Sequence, residues 1–178
     1  VRHGSASTRN AGFICFGSPT EIISDLNLMG RENVVSLVKD RYKGIQKLKQ
    51  RLSSSEVRWN WDGTCEVLEG GQSIESNNLS LVNEVINDAT GITDAYKMAE
   101  PGVYGLKCDG PALRSKNEGA MHPGLAVRVL ENLCLQKGIT IIHQCTVQGW
   151  CKDDSRIIVD TTIGQFFCEK LVLATNAF

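Results

Sequence analysis

The 178-residue chain has neither a large net charge of either sign nor any long apolar run. Its 19 basic and 20 acidic residues leave a formal net charge of −1, which favours neither a nucleic-acid surface nor a polybasic membrane anchor. The apolar runs are too short to cross a bilayer, and the first residues do not have the pattern of a secretory signal. We therefore expect a cytoplasmic protein that binds no nucleic acid and no membrane.

Cysteine and histidine are few and scattered, with seven and three residues respectively. No two cysteines form a Cys-x-x-Cys pair, and an odd, widely spaced set argues against a disulfide framework and a zinc site. We expect reduced, mostly buried thiols and no metal. The composition is otherwise ordinary for a globular protein, with 42% hydrophobic and 22% charged residues, and the length allows one domain or parts of two.

The first third of the chain has the pattern of two helices. Ser18, Pro19 and Glu21 form a helix start, with a capping serine, a proline at the first helical position and a glutamate three residues after the cap. We predict a short helix over residues 21–28, an interruption at Gly30, and a long helix over residues 32–52. The lysines and arginines of the long helix are interpreted as a solvated face rather than a phosphate or RNA patch, because no aromatic residues interleave with them.

Residues 56–120 have the pattern of a β-rich module with one helix. The alternation over residues 57–61, the turn signal Asp62-Gly63 and the strand pattern over residues 64–68 predict a hairpin with Trp59 and Trp61 on one face. The two tryptophans are interpreted as sheet packing, with pocket lining as the alternative. A helix over residues 79–89 follows, and then two strands over residues 96–98 and 103–107.

The last third of the chain returns to an alternating order of helix and strand. Pro123 suits a first helical position, Lys137-Gly138 suits a helix end, and a strand is predicted over residues 139–142. Three antiparallel strands are predicted over residues 147–151, 156–161 and 165–168, and a short apolar strand over residues 171–174 suits a parallel sheet. This order predicts an α/β fold, mixed with α+β parts, that contains a three-stranded β-meander.

The opening segment, residues 5–12, combines small and hydroxyl-bearing residues with Arg9, Asn10 and a closing Gly12. Small side chains let a ligand approach the backbone, and a guanidinium suits phosphate or carboxylate, so the loop is typical of a site for an anionic ligand. The alternative is an ordinary polar loop, because Ser, Gly and Asn are also common there. At the other end, an apolar strand that breaks into Ala174-Thr175-Asn176 has the pattern of a nucleotide-binding sheet edge.

These two segments, together with residues 118–124, resemble the FAD-dependent D-amino-acid oxidase superfamily, which includes glycine, sarcosine and γ-glutamylputrescine oxidases. The opening is similar to its Gly-Ala-Ser-Gly-Arg-Asn-Gly-Gly flavin loop, with Ser5 and Thr8 in place of two glycines. The ending is similar to its Ala-Thr-Asn-Ala-Tyr/Phe turn. The resemblance implies a partial FAD-binding Rossmann-like domain, over residues 1–55 and 121–178, and part of an antiparallel-sheet substrate domain over residues 56–120. The FAD contacts that it implies are Ser7, Thr8, Arg9, Asn10, Ala11, Gly12, Val147, Ala174, Thr175 and Asn176.

The resemblance further implies an enzyme that oxidises the C–N bond of a small-molecule amine or amino acid by hydride transfer to FAD. Two other interpretations stay open: a non-catalytic remnant or scaffold of the same fold, and a flavoprotein dehydrogenase acting on another donor such as glycerol 3-phosphate. No catalytic residue is assigned. His122 is interpreted as a capping or structural residue rather than a base, because orientation alone supports hydride removal. His3 lies close to the loop, but FAD is expected to be held without a covalent bond.

Two features of the superfamily have no match in these residues. Its Gly-x-Gly-x-x-Gly loop and acidic ribose-binding residue would precede Val1, and further substrate strands would follow Phe178. We therefore expect the chain to be a central fragment that binds FAD weakly or not at all and does not turn over on its own.

Overall fold

The computed structural model describes residues 6–52, 55–68, 73–105 and 110–175, and of Val103 and Tyr104 it describes the backbone alone. Within these ranges the fold is mixed α/β, with four α-helices and three antiparallel sheets. The chain divides into two compact units, Val1–Leu133 and Cys134–Phe178. No helix in the described ranges has the length and apolarity needed to cross a membrane.

The two predicted N-terminal helices are confirmed. Helix α1, Pro19–Met29, begins after Ser18, whose side chain accepts a hydrogen bond from the Glu21 amide at 3.4 Å. Gly30, with φ +79°, separates it from helix α2, Arg31–Arg51. This left-handed backbone is easy for glycine and costly for other residues, so it ends one helix and lets the next begin.

The core of the first unit lies between these helices, helix α3 (Ser76–Thr90) and a three-stranded sheet. Helix α3 confirms the third predicted helix and ends, as expected, at the left-handed Gly91. Phe16 is fully buried and packs edge-on against Tyr42 and Tyr96, with ring centroids 6.4 Å away in both cases. The segment after the opening loop therefore packs in the core against helix α2 and the sheet.

The sheet of the first unit contains strands β2 (Thr64–Val67), β3 (Tyr96–Ala99) and β4 (Ala112–Ser115), in the order β2-β4-β3. A second, two-stranded sheet pairs β1 (Phe13–Ile14) with β5 (Gly119–Ala120). The predicted strand over residues 96–98 is confirmed by β3. All of these pairs are antiparallel.

The predicted hairpin over residues 57–68 is wrong. Strand β2 pairs with β4, and Asn60 instead forms an isolated bridge with Ala120. The turn signal at Asp62-Gly63 is real, since Gly63 has φ +95°, but a Cβ at Gly63 would overlap the carbonyl oxygen of Ser115. The chain therefore passes against β4 here instead of folding back on itself. Trp59 and Trp61 do contact each other, with ring centroids 5.7 Å apart.

The predicted strand over residues 103–107 is also wrong where the structure describes it. Residues Pro101–Tyr104 form a 3-10 helix, and Gly105 follows with φ +72°. Pro101 holds the helical φ at the first position and Gly105 takes the left-handed φ at the end, so local backbone preferences override the alternating pattern. Residues 106 and 107 lie outside the described ranges.

Helix α4, Pro123–Gln136, has the predicted start and end, with Gly138 at φ +74°. The second unit then contains the predicted meander, strands β6 (Val147–Asp153), β7 (Arg156–Thr161) and β8 (Gly164–Cys168), paired antiparallel in that order. Asp154, with φ 45°, forms the first of its two turns. This part of the prediction is confirmed strand by strand.

Residues 139–142 and 171–174 are not strands, contrary to prediction. Four of their large apolar side chains are exposed, from 46% at Ile142 to 84% at Val172, while Ile141 and Leu171 are half-buried. A strand suited to a parallel sheet needs a neighbour to accept and donate its backbone hydrogen bonds. In the described residues every strand pairing is antiparallel and neither segment is paired, so the apolar pattern alone does not make a strand.

Candidate functional site

The opening loop is shaped by the side chain of Asn10. Residues Ala6–Thr8 form a 3-10 turn, and the Asn10 amide nitrogen donates to the carbonyl oxygens of Ala6 at 3.1 Å and Ser7 at 3.2 Å. The amide oxygen of Asn10 accepts from the Gly12 amide at 2.9 Å. One side chain thus bonds to both ends of the loop, and an asparagine is suited to this because it both donates and accepts.

Gly12 attaches the loop to the rest of the first unit. It is buried, has φ +74°, and its carbonyl oxygen accepts a hydrogen bond from the Met121 amide at 2.9 Å. A Cβ at this position would overlap the carbonyl oxygen of Met121. Only glycine fits both the left-handed backbone and this close approach.

The remaining predicted loop contacts face solvent. Ser7, Arg9, Asn10 and Ala11 are exposed, and Thr8 is half-buried. The small side chains leave the backbone within reach of a ligand, and the exposed guanidinium of Arg9 can donate two parallel hydrogen bonds to a phosphate. A loop with a fixed backbone, small exposed residues and one arginine is chemically suited to a phosphate-bearing ligand.

A buried acidic residue, Glu118, directly precedes strand β5. It is 1% exposed, and its Oε1 accepts a hydrogen bond from the Phe16 amide at 3.0 Å. Its Oε2 accepts from the hydroxyl of Thr64 and from that of Tyr96, the latter at 2.7 Å. Glu118 therefore connects the segment that leaves the loop to strands β2 and β3.

Burial governs the protonation of this cluster. Desolvation raises the pKa of Glu118 above its ordinary value, although the three hydrogen bonds oppose the rise. Burial, and then the nearby Glu118 carboxylate, raise the pKa of Tyr96 and that of Cys15. Tyr96 consequently stays protonated, and its single hydroxyl hydrogen is shared between Glu118 Oε2 at 2.7 Å and the carbonyl oxygen of Gly17 at 3.1 Å. These groups hold the fold around the loop together.

His122 has the capping role expected from the sequence. Its Nδ1 accepts from the Leu125 amide at 3.3 Å and its carbonyl oxygen accepts from the Ala126 amide at 3.0 Å, at the start of α4. Its own amide donates to the carbonyl oxygen of Val57 at 2.9 Å. The imidazole thus caps the N-terminus of helix α4.

The predicted site residues divide between the two units. The structure brings together the six in the loop, Ser7 to Gly12. Val147 is the first residue of β6 and 49% exposed, and Ala174 and Thr175 are exposed beyond the meander, all in the second unit. Asn176 lies outside the described residues, as does His3.

Sequence reasoning assigned no chemistry to Glu118 or Tyr96. The available signal was a charged residue directly before Gly119, in a segment that had already been compared with the superfamily. A Cβ at Gly119 would overlap the carbonyl oxygen of Asn60 and crowd Trp61, so the backbone after Glu118 is closely packed. A charged residue in such a place is buried and needs hydrogen-bond partners.

Across the residues that the structure describes, no group of three or more His, Cys, Asp or Glu side chains could hold a metal ion. The six cysteines in these ranges form no disulfide with one another. Two of them are exposed and four are half-buried, so the expectation of mostly buried thiols is wrong for the described residues.

Comparison with solved structures finds the same fold in two oxidases and a deaminase. Glycine oxidase from Geobacillus kaustophilus matches with a TM-score of 0.59 and 17% identity, over 96% of this chain and 45% of that one. Iminodiacetate oxidase from Chelativorans sp. BNC1 matches with a TM-score of 0.55 and 17% identity, over 90% and 42%. L-Amino acid deaminase from Proteus myxofaciens matches with a TM-score of 0.52 and 17% identity, over 91% and 35%.

The chain therefore spans less than half the length of each of these structures. No curated protein sequence matches it. The model of one protein family does match, over residues 2–178, and its description is FAD dependent oxidoreductase. Because this match extends over nearly the whole sequence, the chain belongs to the family of FAD dependent oxidoreductases.

Proposed function

We propose that the protein containing this chain oxidises a carbon–nitrogen bond of a small amine or amino acid. The proposal is supported by the family, which is FAD-dependent, and by the fold shared with a glycine oxidase, an iminodiacetate oxidase and an L-amino acid deaminase. The observation that carries it is the opening loop, fixed by Asn10 and Gly12, that leaves Arg9 exposed.

In this proposal the loop holds the phosphate part of FAD. Arg9 and the hydroxyls of Ser7 and Thr8 donate to phosphate oxygens, and Ala11 and Gly12 leave room for the ring system. The backbone of Val147 contacts the adenine, and residues Ala174, Thr175 and Asn176 form a turn beside the cofactor. When bound, FAD supplies an acceptor for the hydride removed from the carbon beside nitrogen.

We assign this chain a binding and orienting role rather than acid–base catalysis. His122 caps α4, and Glu118 is buried directly before β5 with three hydrogen-bond partners of its own chain. Hydride removal depends mainly on holding the donor carbon in line with the acceptor, so fixed geometry contributes directly to the rate. The residues around Gly12 contribute a rigid backbone that orients the bound cofactor.

The test uses the protein encoded by the complete gene that contains these residues. After purification, flavin absorbance shows whether FAD is retained, and anaerobic bleaching by a panel of glycine, secondary amines and D- and L-amino acids shows which donors reduce it. Bleaching by an amine or amino acid supports the proposal. If glycerol 3-phosphate alone bleaches the flavin, the protein is a dehydrogenase of that donor and the proposal is wrong. If no flavin is bound, the protein is a non-catalytic member of the fold.

The loop itself is tested by substituting its arginine. Arg9→Ala removes the guanidinium, and we expect FAD to bind about tenfold or more weakly, with Arg9→Lys in between, because a charge-assisted bidentate contact is lost. Lys39→Ala, at an exposed position on α2, removes the same charge away from the loop and serves as the control. Equal affinities for the Arg9→Ala and Lys39→Ala variants would exclude the loop as the phosphate site. The isolated 178-residue chain is expected to bind FAD weakly or not at all.

A further inference from the structure

Oxygen atoms of four residues form a buried chain of contacts at the centre of the first unit. Oε2 of Glu118 contacts the hydroxyl groups of Thr64 and Tyr96, the latter at 2.7 Å. The Tyr96 hydroxyl also lies 3.1 Å from the carbonyl oxygen of Gly17, a buried residue. Three oxygen–oxygen contacts of hydrogen-bond length therefore meet in one cluster.

Each of these contacts needs one hydrogen, and the side chains do not supply enough when Glu118 is ionised. The hydroxyls of Thr64 and Tyr96 have one hydrogen each, whereas a carboxylate and a backbone carbonyl have none. Across the part of the chain that the structure describes, Tyr96 is the one donor to the Gly17 carbonyl. If Tyr96 gives its hydrogen to Glu118 instead, this buried carbonyl is left unpaired, which proteins avoid.

A proton on Oε2 of Glu118 supplies the missing hydrogen. Glu118 then donates to the Tyr96 hydroxyl, Tyr96 donates to Gly17, and Thr64 donates to Glu118. The other oxygen of Glu118, Oε1, still accepts from the Phe16 amide at 3.0 Å. In this arrangement every polar contact of the cluster has its hydrogen.

The electrostatics of the cluster also favour the neutral acid. Glu118 is 1% exposed, and in the described ranges no basic side chain forms an ion pair with it. The titratable groups that face it are Tyr96 on β3, Glu66 on β2 and Cys15 next to β1, none of which is ever positively charged. A buried charge without an opposite charge is costly, and this burial raises the pKa of Glu118.

The basic residue that the neighbouring helix α2 brings to this region is used elsewhere. The guanidinium of Arg41 donates to the carbonyl oxygen of Phe16 at 3.4 Å and pairs with Glu21 at 2.8 Å. The charge of Arg41 is therefore offset by Glu21 and not by Glu118.

We propose that Glu118 is a buried proton-binding site, which is kept as the neutral acid in the folded protein and donates its proton to the Tyr96 hydroxyl. The proton comes from the solvent on folding, because a glutamate of the unfolded chain is ionised above about pH 4.5. Loss of this proton at higher pH draws the Tyr96 hydrogen to the carboxylate and leaves the Gly17 carbonyl without a donor. Gly17 directly precedes Ser18, the cap of α1, so the start of α1 becomes sensitive to pH. The site lies within the first unit and needs no FAD, so it is independent of the proposed function.

Infrared spectroscopy of the purified 178-residue chain in heavy water tests the proposal, because protonated carboxyl groups absorb apart from ionised ones. The spectra are recorded at about pH 6, where an ordinary glutamate is almost fully ionised. The spectrum of wild type minus that of Glu118→Gln is expected to show one protonated carboxyl group. Wild type minus Glu56→Gln, at an exposed position, is the control and should show an ionised carboxylate. An ionised carboxylate in the Glu118→Gln difference, or a wild-type spectrum without a protonated carboxyl band, overturns the proposal.

Tyr96→Phe gives a second test that does not depend on how well Glu118→Gln folds. The pH at which half of the protonated carboxyl band is lost is measured in wild type and in this variant. If Glu118 donates to Tyr96, the substitution removes a hydrogen bond to the neutral acid, and the proton affinity of Glu118 falls about fivefold. If Tyr96 donates to an ionised Glu118, the substitution removes a bond to the charged form, and the proton affinity rises. An unchanged or higher affinity in Tyr96→Phe would therefore overturn the proposal.

Discussion

At the scale of single residues, Gly12 determines how the opening loop meets the rest of the first unit. Its left-handed backbone places its carbonyl oxygen at the Met121 amide, and its lack of a side chain leaves space for the Met121 carbonyl. The loop can be exposed and still keep one shape, because this residue and Asn10 hold its end.

Gly12→Ala is expected to destabilise the protein by at least about 2 kcal/mol, since alanine meets both a left-handed backbone and a backbone clash. Urea unfolding measures the change. The control is Gly44→Ala, inside α2, where an added Cβ would meet nothing within 4 Å. That substitution should stabilise by about 0.5–1 kcal/mol, because alanine is the better helix former. If Gly12→Ala lowered the free energy of unfolding by no more than the size of the change at Gly44, the close packing of Gly12 against Met121 would not matter for stability.

Glu118 has a consequence for the pH dependence of stability. Burial raises its pKa above the ordinary 4.5, so between 4.5 and the raised pKa the folded state binds more protons than the unfolded state. The contribution of Glu118 to stability is therefore complete below the unfolded pKa and decreases as the pH rises towards the folded pKa. Each unit between the two pKa values corresponds to about 1.4 kcal/mol.

Glu118→Gln removes this titration. We expect the unfolding free energy of wild type, minus that of Glu118→Gln, to fall as the pH increases above about 4.5. Urea titrations at a series of pH values measure this difference. Glu56→Gln, at an exposed position, is the control for the removal of one carboxylate. A difference for Glu118→Gln that is constant or rises with pH would show that the hydrogen bonds outweigh burial.

At the scale of elements, the helices and the meander differ in how they are buried. Helix α3 has Val82, Val85 and Ile86 fully buried, whereas the central strand of the meander, β7, has Val159 as its one buried residue, 7% exposed. Across the meander Trp150, Phe166 and Phe167 are 39% to 55% exposed. A three-stranded sheet with so little buried apolar surface is marginally stable.

Amides of β7 in the 178-residue chain are therefore expected to exchange with deuterium about tenfold or more faster than those at the centre of α3. Hydrogen exchange followed by mass spectrometry of peptides from both elements makes the comparison within one sample. Equal protection of β7 and α3 would show that the meander is stabilised by contacts other than burial of its own side chains.

The elements also show why some predictions succeeded. The four helices and the meander follow from residues within a few positions of each other: the cap at Ser18, the glycines at 30 and 91, and the short turns of the second unit. The predicted hairpin over residues 57–68 was wrong although its turn signal was correct. Its second strand, β2, pairs with β4, about fifty residues later in the chain. Periodicity identifies a strand but not its partner.

At the scale of the whole molecule, the chain consists of two compact units and spans less than half the length of each solved structure that shares its fold. The six loop residues belong to the first unit, and Val147, Ala174 and Thr175 belong to the second. The assignment of all of them to FAD stays a prediction, as does the division of the chain at residues 55 and 120.

The sequence by itself determined the helices, the meander and, through motifs at the two ends, the family to which the chain belongs. These depend on local backbone preferences and on short runs of residues, both of which are visible without a fold. The tertiary structure alone decided the burial of Glu118, which bonds to Phe16 and Thr64 from 102 and 54 residues away, and the contact between Tyr96 and Gly17. Each of these requires distant segments to meet, and a single sequence contains no distances between them.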